Sequence, residues 1–163
     1  MSSALTTLGI VHTAISLVAV ASGFWALVRD KEISALNPLG RTYLVTTFLT
    51  AATGLGIYQH GGFGPPHVLS ILTILALAVG SAAAFKGVFG RWSRYAQAIC
   101  FSATMFFHMI PGFTETLTRL PVSQPLLPNA DAPELKAIAA VLLLLLMVGL
   151  VFQLRCLRAR LAK

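Results

Sequence analysis

The chain has 163 residues and a formal net charge of +7, and 56% of its residues are hydrophobic while only 10% are charged. A soluble domain carries about 25% charged residues, so this composition excludes an ordinary soluble domain and predicts an integral membrane protein. The basic residues lie at the ends of apolar runs, which favours anionic lipid headgroups rather than nucleic acid as their partners.

Five apolar runs predict five membrane-spanning helices, at about 4–28, 42–58, 66–85, 95–113 and 135–154. Each is close to the roughly 20 residues that cross about 30 Å of hydrocarbon. The first run has no basic residues before it and is too long for the core of a signal peptide, so it predicts a retained helix. The predicted fold is therefore all-α, a single transmembrane domain formed by an antiparallel bundle of five helices.

Basic residues are distributed unevenly between the predicted connections. Ten of the twelve Lys and Arg residues lie in the loop after the first span, the loop after the third span and the C-terminal tail, which share one side. The other side holds only Arg119 and Lys136. Because short loops rich in Lys and Arg remain in the cytoplasm, the N-terminus is predicted outside and the C-terminus inside. The hairpin 58–67 and the loop 114–134 are then extracytoplasmic.

The outer loop 114–134 is the longest connection of the chain. Its four prolines disfavour a regular helix. A partly ordered cap over the helix ends and a flexible linker both remain open. Pro111 and Gly112 are expected to loosen or kink the fourth span one turn after His108, and Thr114 offers a capping oxygen at its end.

The chain has four histidines, one for each of the first four predicted helices. Counted from the basic residues at the inner ends of the spans, they lie at heights of roughly 21–28 Å. They therefore fall within one slab about 7 Å thick in the outer half of the bundle: His12, His60, His67 and His108. The two deeper ones, His12 and His108, share helix faces with small or polar residues, so they are predicted to face inward.

Two kinds of ligand suit these histidines. A b-type haem is held by imidazoles from two helices at matching depth, which points to His12 and His108. A transition metal ion would use three or four of the imidazoles, with Met105 or Glu115 as secondary ligands. Thioether and imidazole together suit copper, whereas imidazole and carboxylate suit zinc or iron. The pair His60 and His67 also lies on one short hairpin, which keeps its two helix ends close.

The alternative interpretation is structural for every histidine. His60 and His67 lie near the headgroup boundary, where polar side chains are tolerated, and His12 and His108 can each hydrogen-bond to a neighbouring helix. The sequence has no HExxH motif, no P-loop and no recognisable Ser–His–Asp set. Whether the chain is an enzyme is therefore left open.

Three segments resemble an uncharacterised family of small bacterial multi-helix membrane proteins, a domain of unknown function. They are His12 in a helix rich in Gly, Ala and Ser, the segment LGRTY at 39–43 and the segment RWSRY at 91–95. The family has a histidine before each of the last two motifs, where this chain has NP at 37–38 and FG at 89–90. These departures count against a ligand pair on the inner side.

The helix number and the placement of the histidines also resemble small membrane b-type cytochromes, at the level of the fold alone. Together these features predict a multi-pass protein of the cell inner membrane that binds haem or a metal ion in its outer half. Its role would be electron transfer or metal handling with an extracytoplasmic partner or a quinone. A homo-oligomer is compatible with the small residues on its helix faces. The alternative is a non-catalytic accessory or scaffold subunit with structural histidines.

Overall fold

The computed structural model describes residues 6–58 and 62–162. The described residues form five α-helices and no strand, and a short 3-10 turn, Gly90–Trp92, precedes the fourth helix. The helices are α1 Thr7–Asp30, α2 Pro38–Gly54, α3 Pro65–Lys86, α4 Ser93–Arg119 and α5 Pro133–Leu161.

Four of the five helices, α1, α3, α4 and α5, are long and apolar enough to cross a membrane. The all-helical membrane fold expected from the composition is therefore confirmed at this level. The remaining helix, α2, has 17 residues, a length of about 26 Å. Two of its threonines, Thr53 and Thr47, contact the neighbouring helices α1 and α4.

Each helix packs against the next one along the chain, and α1 also makes a smaller contact with α4. The first four helices therefore form a bundle, and α5 lies outside it against α4. None of the residues in the most apolar stretch of α5 is buried within the chain. Its leucine-rich surface between 142 and 146 is thus available to lipid, as its uniformly apolar sequence indicates.

The second helix begins four residues earlier than the sequence pattern indicates and ends four residues earlier. The side chain of Asn37 accepts a hydrogen bond from the Gly40 amide at 2.8 Å, and Pro38 occupies the first turn. An N-cap followed by proline is a strong start signal. At the other end the regular helix stops at Gly54, so the predicted end at residue 58 was wrong.

The fourth helix also differs from its predicted bounds, because it continues to Arg119 instead of ending at residue 113. Pro111 lies inside it and does not stop it. The hydroxyls of Thr114 and Thr118 each donate to the carbonyl four residues earlier, at 2.9 and 2.7 Å. Thr114 is thus a helix residue and not a cap, and the predicted outer loop 114–134 was wrong in its first six residues.

The connection between α1 and α2, residues 31–37, folds against the end of the bundle at which α1 ends and α4 begins. Ile33 and Ala35 are completely buried. Their carbonyl groups are satisfied by side chains, since Gln97 Nε2 donates to the Ile33 carbonyl at 3.2 Å and Arg41 Nε to that of Ala35 at 3.1 Å. Because its backbone polar groups are paired with α4 and α2, this loop is a packed part of the core.

A carboxylate of the same loop joins three parts of the chain. Glu32 is 8% exposed, and its Oε1 accepts from Arg94 Nη2 of α4 at 2.9 Å and contacts Arg160 Nη1 of α5 at 3.5 Å. Arg160 also donates to the Asp30 carbonyl at 3.1 Å. The outermost helix α5 is therefore joined to the bundle near its C-terminal end by charged hydrogen bonds.

Candidate functional site

The helix α2 supplies a set of hydroxyl groups to its neighbours in the bundle. Thr47 and Thr50 are buried, at 0% and 7% exposure, and Thr53 lies one turn further on. Residues three or four positions apart share a helix face. Two of the four histidines make their contacts with these hydroxyl groups, at Thr47 and at Thr53.

His12 of α1 contacts α2 through its Nδ1, which lies 3.0 Å from Thr53 Oγ1. The single hydroxyl hydrogen of Thr53 is directed to backbone carbonyls of its own helix, those of Leu49 at 2.8 Å and Thr50 at 3.0 Å. With the hydroxyl hydrogen on either carbonyl, Thr53 accepts and His12 Nδ1 is the donor, which is the Nδ1–H tautomer of the imidazole. Neutral His12 then carries its proton on Nδ1 and keeps a lone pair on Nε2.

His108 of α4 is 8% exposed, and its Nε2 lies 3.1 Å from Thr47 Oγ1 of α2. The ring of Tyr43 stands against the imidazole in an edge-to-face arrangement, with 6.3 Å between the ring centres and 66° between the planes. The Nε2 atom of His108, which could bind a haem iron or a metal ion, is thus already hydrogen-bonded to α2. Binding through Nε2 would require this hydrogen bond to break.

The two imidazoles contact α2 at different places on its surface. Thr47 and Thr53 are six residues apart, which corresponds to a rise of about 9 Å and a rotation of about 120° along the helix. The hydrogen bonds join each imidazole to α2, and not to a shared position between α1 and α4.

Tyr43 is a central residue of this region that the histidine pattern does not reveal. It is completely buried, and its hydroxyl lies 2.7 Å from Thr104 Oγ1 of α4. Thr104 donates to the Phe101 carbonyl at 2.8 Å, so it accepts from Tyr43. A tyrosine within an apolar run is the available signal, since a buried tyrosine hydroxyl usually finds a partner.

The side chain of His67 caps the N-terminal end of its own helix, α3. It is 3% exposed, its Nδ1 accepts from the Gly64 amide at 3.2 Å, and its ring packs against Tyr58 and Phe63, with centroids 4.6 and 5.3 Å away. Because Nδ1 accepts, the neutral ring carries its proton on Nε2, and that nitrogen has no hydrogen-bond partner among the described residues. His67 therefore presents a donor, and not a ligand lone pair.

His60, the predicted companion of His67, lies outside the described residues. The two secondary ligands have other contacts. Met105 is 6% exposed, and its Sδ lies 3.0 Å from the position that a Cβ on Gly23 would take, so it fills the space between α4 and α1. Glu115 forms an ion pair with Arg119 one helical turn later.

A metal centre made only of described residues does not form in this arrangement. Within 6–58 and 62–162, no three His, Cys, Asp or Glu side chains come together as a metal-binding group. One groove lies near this site and is lined by Thr6, Leu8 and residues 56–58, and a second groove lies at the opposite end of the bundle. Neither groove is lined by His12, His67 or His108.

The fold and this site define a class: a helical protein with four helices long and apolar enough to cross a membrane, in which several buried polar groups are paired between helices. Comparison with protein-family models, with curated proteins and with solved structures gave no match for the chain. The resemblance described from the segments at 39–43 and 91–95 therefore stays a prediction.

Proposed function

We propose that the chain is a multi-pass membrane subunit of the accessory or scaffold type, in which His12 and His108 are structural groups. The observation that carries this proposal is the pair of hydrogen bonds from these histidines to Thr53 and Thr47 of α2. In hydrocarbon a polar side chain that is paired across helices contributes to packing, whereas an unpaired one is costly. The short helix α2 is thereby fastened to α1 on one side and to α4 on the other.

A second candidate is a haem b or transition-metal protein, and the proton position on His12 favours it. Metal-ligating histidines usually donate one ring N–H to an oxygen and bind through the other nitrogen. His12 has this arrangement, with Nδ1 on Thr53 Oγ1. In this candidate His12 Nε2 supplies the ligand on the outer side, and the protein would transfer electrons or deliver metal to an extracytoplasmic partner or a quinone.

An absorption spectrum with metal analysis separates the two candidates. We expect protein purified without chelators to show no Soret band and no stoichiometric copper, zinc or iron. A Soret band, or one bound metal ion, that disappears in His12→Ala but not in Thr47→Val would establish the second candidate and overturn the first. The Thr47→Val protein is the control because it alters the interior of the bundle without removing an imidazole.

A double-mutant cycle measures the structural role of His108 directly. We expect His108→Ala and Thr47→Val to destabilise the protein separately, and their effects to be less than additive by about 0.6–1.7 kcal/mol, the range of hydrogen bonds between membrane helices. The free energy of unfolding in mixed micelles gives this coupling. Effects that add without any coupling would show that the contact with Thr47 does not hold the helices together.

We also propose that the protein lies in the cell inner membrane, with its C-terminus in the cytoplasm. The ten-to-two distribution of Lys and Arg supports this orientation. Cys156 is an exposed native thiol near the C-terminus, and Ser123 is an exposed position of the opposite connection. Both ends of the bundle can therefore be probed with a membrane-impermeant maleimide.

In spheroplasts we expect Cys156 to react only after lysis. In a Cys156→Ser background, Ser123→Cys is expected to react before lysis. Cys100 is partly buried within α4, and the Cys156→Ser protein without the added thiol measures its background. Labelling of Cys156 in unlysed spheroplasts would mean that the orientation is reversed.

A further inference from the structure

A groove with a volume of about 850 Å³ lies between the beginning of α4 and the end of α5. One side is lined by Arg91 and Trp92 of the 3-10 turn and by Tyr95 of α4. The α5 side is lined by two apolar residues, Val151 and Leu154, then by Arg155 and Arg158, with Leu161 beyond them. Three arginines from two helices thus face one open space. This groove is at the end of the bundle that carries most of the basic residues, far from the histidines.

The three arginines have no carboxylate partner among the described residues. The chain has only five acidic residues. Three of them, Asp30, Glu32 and Glu115, pair with arginines outside the groove. The other two lie at the opposite end of α5, and Glu134 is separated from Arg158 by 24 residues of helix, about 36 Å. An anion from outside the chain is therefore the available counter-charge.

The α5 lining of the groove is apolar at Val151 and Leu154 and basic at Arg155 and Arg158, and Leu161 follows at the end of the helix. Val151 and Leu154 are followed on the same helix face by Arg155 and Arg158, at spacings of three and four residues. From Val151 to Arg158 the rise is about 10 Å. This order matches the order of groups in a phospholipid, whose hydrocarbon chain lies deeper in the bilayer than its phosphate.

The aromatic residues at the beginning of α4, Trp92 of the 3-10 turn and Tyr95, mark the same level of the bilayer. Tryptophan and tyrosine are enriched where hydrocarbon meets headgroups. Trp92 and Tyr95 have ring centroids 5.6 Å apart, and the Arg91 guanidinium lies 5.4 Å above the Trp92 ring. The Arg91 side chain is thus held at the groove by the ring. The N-terminal end of α4 is also here, and its dipole favours an anion.

We propose that this groove is a binding site for one anionic phospholipid. Arg91, Arg155 and Arg158 hold its phosphate, and an acyl chain lies along Val151 and Leu154. A general excess of positive charge on one side of the membrane explains exposed residues such as Lys86. It does not explain why three unpaired arginines from two helices meet around a groove with an apolar floor. The site is independent of the role of the histidines.

Trp92 is a built-in reporter of occupancy. The chain has two tryptophans, and Trp25 is 61% exposed on α1, so a Trp25→Phe protein leaves Trp92 as the only indole. We expect phosphatidylglycerol with brominated chains to quench its fluorescence in mixed micelles at about one tenth of the mole fraction that brominated phosphatidylcholine requires. Unbrominated phosphatidylglycerol should reverse the quenching.

Charge variants test which arginines confer this selectivity. In the same background, Arg155→Gln with Arg158→Gln is expected to abolish the tenfold preference for the anionic lipid. The matched control, Lys31→Gln with Lys86→Gln, removes two exposed positive charges outside the groove and should keep it. The circular dichroism of both proteins checks that the helices remain.

Three outcomes would overturn the proposal. Equal quenching by the two brominated lipids would show that the groove does not select a charge. Equal loss of selectivity in the control protein would show that only the overall charge matters. The third outcome is release of the lipid by about 10 mM inorganic phosphate, a concentration far above that of the lipid. It would show that the groove binds phosphate alone and that the acyl chains do not contribute.

Discussion

A Gly40→Ala protein is expected not to fold, even though alanine is ordinarily better than glycine in a helix by about 1 kcal/mol. A Cβ at Gly40 would lie 2.6 Å from the carbonyl carbon of Ser34 and closer still to its oxygen. These are backbone atoms of the buried loop under the bundle, and they cannot rotate away. The expected cost is about 3 kcal/mol or more, a large part of the stability of a typical domain.

The matched control for this substitution is Gly149→Ala in α5. No atom lies within 4 Å of the position of its Cβ, so we expect an unchanged or slightly higher unfolding temperature. The measurement is the yield of monodisperse protein in detergent, followed by its thermal unfolding midpoint. Normal yield and midpoint for Gly40→Ala would mean that the loop 31–37 does not pack against α2 as described.

The helical architecture was predictable because its signals are local. Apolar runs of sufficient length lie within short stretches of chain. The Asn37–Pro38 start of α2 is equally local, but the apolar pattern placed that start four residues later. The helix ends were less predictable. Pro111 indicates a break, but the Thr114 and Thr118 hydroxyls bond back to the helix and the Glu115–Arg119 pair adds to it.

The contacts of the histidines were only partly predictable, for a geometric reason. The sequence correctly indicates polar or small faces around His12 and His108, and both have polar partners on a neighbouring helix. The sequence does not give the rotation of α2 about its axis relative to α1 and α4. This rotation decides whether the imidazoles of His12 and His108 meet each other or contact different faces of α2. The rotation depends on packing between helices that are distant in the sequence.

The buried loop under the bundle was not predicted at all. Its residues Lys31 and Glu32 are charged, which indicates an exposed connection. The burial of Glu32 depends on Arg94 and Arg160, which are more than 60 residues away in the chain. A single sequence contains no signal for such a pairing. The same is true of Tyr43, whose partner Thr104 is 61 residues further on.

Tyr43 is the side chain whose removal is expected to cost most after the Gly40 substitution. Its ring packs against α1, with one ring carbon 2.7 Å from the position of a Cβ on Gly23, and its hydroxyl reaches Thr104 of α4. Tyr43→Ala would leave a cavity where three helices meet, and we expect a loss of about 3–5 kcal/mol. The free energy of unfolding in mixed micelles measures it.

Two further substitutions on α2 separate the contribution of the Tyr43 hydroxyl from that of its packed ring. Tyr43→Phe keeps the ring and removes only the hydroxyl, so we expect a loss of about 0.6 kcal/mol, typical of a hydrogen bond between membrane helices. Phe48→Ala removes an aromatic ring that is 49% exposed and should change stability little. If Tyr43→Phe costs as much as Tyr43→Ala, then the hydroxyl and not the packed ring joins α2 to the bundle, and the three helices do not meet as described.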